Sequence, residues 1–166
     1  MPAFQYRMPA GIPGDIVSMA NAFVEPQEIQ PAGSTGAPTE YGVPVVIDGT
    51  SFNVREVGAS DTAAVVRGIL VRPYPTNAGQ DALATSTPAA RGAADVLRVG
   101  KITVRLRGST AAVKGGIVYV WRSATAGNNV QGRIVAADPS TDGFALPATF
   151  DGPADDNGFV TISYNI

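Results

Sequence analysis

At 166 residues the chain is long enough for one domain with its own core, or one domain carrying a long arm. It has no cysteine, which excludes a disulfide framework and any thiolate nucleophile or metal site, and no histidine, which removes the usual neutral-pH base and the commonest metal ligand. Charged residues make up only 16% against 45% hydrophobic, with a net charge of −2, so much of the surface falls to small and uncharged polar residues that are easily desolvated against another protein.

Residues 1–42 hold six prolines, and neither a helix nor a central strand suits them, apart from a short turn of helix over 16–23. The same stretch carries Phe4, Tyr6, Met8, Ile12, Ile16, Val17, Phe23 and Val24, more apolar side chains than a disordered tail has use for. The expectation is an extended N-terminal arm over 1–42, laid on a surface, its own or a neighbour's, and a β domain over 43–166. The opening MPAFQYRMPAGIPG is too broken by proline for a signal peptide, and no run reaches the roughly 18 apolar residues of a membrane span, so a soluble chain used without export is expected.

From Val43 the pattern is strand and turn. VPVVI (43–47) closes on Asp48-Gly49, a hairpin pair, and FNVREV (52–57) follows. Ala63 to Arg72 is the most apolar run and reads as a central strand. Residues 77–94 read as a loop of small residues. ITVRLR (102–107) alternates, with Ile102, Val104 and Leu106 predicted inward and Thr103, Arg105 and Arg107 outward. Strands are also predicted over 117–121, 133–137 and 159–166. About eight short strands between Gly, Pro and Asn turns give an all-β class, a compact β-barrel or sandwich with the long arm attached.

Charge is unevenly spread: one arginine against four acids in residues 1–40, eight basic residues against Asp95 in 91–133, and five aspartates with nothing basic in 134–166. The basic middle can pair with the acidic ends within a subunit or between neighbours. It forms no compact tract, which argues against direct nucleic-acid binding.

Chemistry is hard to place. Asp138, Ser140, Asp142 and Gly143 fit the first half of an EF-hand loop, but Thr149 stands where the bidentate Glu is needed, and the stretch reads as tight turns. Asp151, Asp155 and Asp156 sit among Gly, Pro and Asn and read as a solvated loop. No catalytic constellation, cofactor motif or metal site is expected. RGILVRPYPT (67–76) instead ends a strand with an arginine fork and a stiffened tyrosine, side chains suited to an interface. Tyr74 admits a core reading as well, Trp121 reads as core before contact, and Phe4 and Tyr6 as contact.

FQYRMPAGIPGDI, GILVRPYPT, ADVLRVGKITVRL (94–106), AAVKGGIVYVW (111–121) and ALPATFDGPADDNGFVTISYNI (145–166), in that order, resemble the phage structural cement protein family. The resemblance implies a non-enzymatic capsid component without a cofactor. It would sit on the outer surface of an icosahedral head, bridging major capsid proteins and stabilising the expanded shell, after assembly in the host cytoplasm. By position, it makes Phe4, Tyr6, Met8, Ile12 and Asp15 of the arm, with Arg72, Tyr74 and Pro75, the interface candidates. A homo-oligomer is expected, a trimer with a dimer as the alternative, with no small-molecule substrate, nucleic acid or membrane as partner. The other readings are a glycan-binding or host-recognition β module of a head fibre or tail, and a small hydrolase built on the aspartates.

Overall fold

The computed structural model describes residues 11–73 and 87–165. Among them are nine strands: β1 (Ile16–Glu28), β2 (Pro44–Ile47), β3 (Val54–Glu56), β4 (Val66–Val71), β5 (Ala93–Arg107), β6 (Ile117–Trp121), β7 (Arg133–Val135), β8 (Gly143–Phe150) and β9 (Phe159–Asn165). The all-β expectation holds, with one strand more than the pattern suggested.

β5 organises the rest. Its second half pairs β9 along one edge and, in parallel, β7 at its end; β7 pairs β6, β6 pairs β8, and β8 returns to β9, closing a five-stranded barrel. Its first half leaves the barrel and pairs β4, which continues through β2 to β3 as a side sheet. β1 lies antiparallel along β5, from Ile16 opposite Ile102 to Glu28 opposite Ala93.

The buried residues divide accordingly. Ile102, Val104, Val118, Val120, Ile134, Phe150, Val160, Ile162 and Tyr164 belong to the barrel core, joined by Val46, Ile69, Val71 and Leu97 from the inner face of the side sheet. The outer face of that sheet carries Val45, Val54, Leu70 and Val96, covered by Ile29, Tyr41 and Val43. GILV is therefore buried on both faces, which is why it reads as an unbroken apolar run rather than an alternating one. At Gly68 the backbones approach so closely that a Cβ would fall 2.3 Å from the Leu97 carbonyl oxygen.

Four expectations need correction. The helical turn over 16–23 is part of β1, whose Pro26 is tolerated because β5 is the only strand that β1 pairs among the described residues. The run from Ala63 begins as a 3-10 turn, Ala63–Val65, and becomes a strand only at Val66. Thr103, predicted outward, is fully buried, because residues 14 and 15 lie against it: Gly14 N–H donates to its carbonyl at 2.8 Å and its own N–H to that of Asp15 at 2.9 Å. β8 was not anticipated, since Pro147 interrupts its run. That proline falls where the β6 pairing shifts register, between Ala145 and Thr149, and just before the β9 pairing starts at Ala148.

Candidate interaction surface

β4 ends at Val71, and the next side chain turns back under the chain. Arg72 is only 8% exposed. Its Nε donates to the Pro13 carbonyl at 3.2 Å and lies 3.6 Å from an Asp15 carboxylate oxygen, while its guanidinium carbon sits 5.0 Å from the centre of the Tyr41 ring. Its backbone N–H donates to Gly14 at 2.9 Å. Gly14 has φ +90°, and a Cβ there would lie 2.6 Å from that of Tyr41, so only glycine lets the chain pass between the ring and β5. Together these contacts staple residues 12–15 to the ends of β4 and β5. Burial pushes the Arg72 pKa down and the Asp15 pKa up, each opposed by the other's charge.

Asp15 and Arg72 are thus brought together, with Ile12 half-buried at the start of the same turn. Phe4, Tyr6, Met8, Tyr74 and Pro75 lie outside the described residues. Trp121 is half-buried at the end of β6, its indole N–H donating to the Ala124 carbonyl at 3.1 Å.

Beyond the staple, β1 loses step with β5. Ser18 faces Lys101 and Phe23 faces Val99, so residues 19–22 stand opposite Gly100 alone; Ala22 packs back on the core while 19–21 are pushed outward. Val17, Met19 and Phe23 are 53%, 72% and 61% exposed. Beside them is a groove of about 530 Å³ whose walls include Ile16, Met19, Val24, Val71 and Pro73, with the carboxylates of Asp15 and Asp95 at its sides. The sequence named Val17 and Phe23 as apolar but missed Met19 as an exposed apolar residue. The available signal was its i, i+2 spacing from Val17, which in an extended chain puts both on one face.

Part of the uneven charge is paired within the chain. Glu25 pairs Arg67 and Arg98, Glu40 pairs Arg107 at 2.9 Å, Glu56 pairs Arg133 at 2.9 Å, and Asp151 pairs Lys101 at 2.9 Å. The hydrogen bond from Arg67 is the main reason the Glu25 pKa lies below the ordinary value.

The aspartates weighed as a catalytic or calcium set do not converge. Asp138 accepts from Ser140 N–H at 2.8 Å, Asp142 from the Ser123 hydroxyl at 2.8 Å, Asp151 from Ser163 at 2.7 Å, and Asp155 from the N–H groups of Asn157 and Phe159. Each fixes its own turn or strand. Among the described residues no group of three acidic side chains could hold a metal ion.

The family model of the XM1 gp53 minor capsid protein matches residues 1–164. The chain belongs to the XM1 gp53 minor capsid protein family. Among solved structures, a chain of "The capsid of Myoviridae Phage XM1" has the same fold, with a TM-score of 0.65 over 98% of this chain and 95% of that one, at 18% identity. No curated protein matches the chain. A member of this family is a phage capsid-associated structural protein and not an enzyme. The expectation of a capsid component is met at that level.

Proposed function

We propose that this minor capsid protein acts as a structural cement: it binds the outer surface of the expanded icosahedral head, bridges major capsid proteins and stabilises the shell against internal pressure. The observation that carries the reading is the bulged β1 strip. On a member of a minor capsid family, Val17, Met19 and Phe23 stand exposed beside a groove, on a strand whose only strand partner among the described residues is β5. Burying what these three side chains still expose contributes about 1–2 kcal/mol each. That is weak for one copy and sufficient for an oligomer that engages several shell subunits at once. A trimer is the arrangement proposed, with residues 1–10 as an arm that extends the contact and the Arg72 staple fixing where the arm leaves the domain.

The test is mechanical. Expanded heads lacking the protein are heated or osmotically shocked with and without the purified protein, and DNA release is followed. A cement raises the release temperature in proportion to occupancy. Bound protein that leaves the release curve unchanged would rule out the cement role while keeping capsid association.

A further inference from the structure

The connection between β2 and β3 ends in an aromatic placed where an aromatic is unfavourable. Phe52 has φ 61°, the left-handed region that a bulky residue occupies only at a cost in strain, and it is 74% exposed. The turn is determined by other groups. The Asp48 carboxylate accepts from the N–H groups of Thr50 and Ser51 at 3.0 and 2.8 Å and faces Arg55 Nε at 3.4 Å, while Phe52 N–H donates to the Asp48 carbonyl at 3.0 Å. Ser51 Oγ reaches both Asp48 and Gln30. An asparagine would make the same turn with less strain. The ring therefore gives the fold neither burial nor backbone ease.

We propose that Phe52 is an anchor that inserts into an apolar pocket of the capsid shell, a second contact distinct from the β1 strip; this rests on the shell-binding reading above. Phe52 shares a shallow surface groove with Pro26, Gln27 and Glu28, at the far end of β1 from Met19. Met19 stands in the bulge opposite Gly100 and Glu28 faces Ala93, so seven residues of β5 separate the two positions, a span of up to about 24 Å. Two apolar contacts that far apart are what a bridge between shell sites needs. A second copy is a poorer occupant. One ring among Ser51, Asn53, Gln27 and Glu28 buries far less than the roughly 800 Å² per partner of a stable dimer. A lattice that offers the same pocket to every bound copy compensates by multivalency.

The experiment compares wild type, Phe52→Asn and Val113→Ser, the last an exposed apolar control on a different turn. Affinity for expanded heads lacking the protein, oligomeric state in solution and Tm are measured for each. Expected are a Phe52→Asn protein with a Tm equal to or above wild type, an unchanged oligomeric state and at least tenfold weaker head binding, and a Val113→Ser protein that matches wild type. Wild-type head binding by Phe52→Asn overturns the anchor and leaves the shell reading standing. A lost oligomer assigns the ring to contacts between copies, and a lowered Tm assigns it to the fold; either overturns the proposal. Wild type that does not bind heads removes the shell reading and the anchor together.

Discussion

Arg72 carries its charge into a space enclosed by Tyr41, Pro13 and Asp15, where it holds the entry of the chain against the ends of two strands. Arg72→Ala removes a charge-assisted hydrogen bond and a ring contact, a loss of about 1–3 kcal/mol. Hydrogen exchange at the Gly14 and Thr103 amides should accelerate more than exchange in the barrel strands, and a uniform acceleration would contradict a local staple. Tyr164 gives the opposite case. It is fully buried, its hydroxyl has no hydrogen-bond partner among the described residues, and burial pushes its pKa far up. Tyr164→Phe should leave Tm unchanged or raise it. Asp61 sets a pH dependence. Burial opposes its charge, but the hydrogen bonds from Arg55 (2.7 and 3.0 Å) and from Gly58 N–H outweigh burial and lower its pKa in the folded protein. Its stabilising contribution is therefore complete above the unfolded value of about 4 and is lost as pH falls through the lower folded value. Asp15, whose pKa is raised, works in the other direction. Asp61→Asn should lower stability at pH 7 by about 1–3 kcal/mol and flatten the acid limb of the stability curve, as measured by denaturant unfolding from pH 7 to pH 2.5.

At the level of elements, close backbone approach decides what the sheet tolerates. A methyl group at Gly68 meets the Leu97 carbonyl and the Val96 side chain, and neither backbone can withdraw without breaking the β4–β5 ladder. Gly68→Ala should destabilise by about 1–3 kcal/mol, and a neutral Tm would mean the side sheet is looser than drawn. The elements that were legible in sequence are those whose burial follows one rule along their length. IVYVW is β6 to the residue, and FVTISYN alternates along β9 from Val160 onward. Where the rule changes midway, reading fails. β1 slips register three times against β5, so no period survives in IVSMANAFVEPQE. β8 hides behind Pro147, although Leu146, Ala148 and Phe150 alternate inward around it. Thr103 looks solvent-facing until a segment some ninety residues earlier folds over it, and no local window contains that fact.

For the molecule as a whole, β5 joins a closed barrel to a side sheet, and β1 lies along β5 with its apolar side chains exposed. The low charge was legible in composition, and the pairing of part of the basic middle with the acidic ends follows from their proximity in the fold. The exposed apolar strip was legible only as a tendency. Apolar residues in the first forty pointed to a covering role, but the bulge that exposes Met19 and Phe23 depends on their register against Gly100. The arginine fork of RPYP pointed outward in sequence, while in the fold it serves the chain's own N-terminal turn.

The central claim is that this capsid protein occupies the head through the β1 strip and the arm beside it. The most direct measurement counts copies of purified protein bound to expanded heads that lack it, comparing wild type with a chain lacking residues 1–10, which leaves the Arg72 staple intact, and with a Met19→Ser/Phe23→Ser double variant. Saturation by wild type at a fixed icosahedral copy number, with both variants weakened at least tenfold, is the predicted result. Absence of saturable wild-type binding, or variants that fill the same sites with the same affinity, would contradict it.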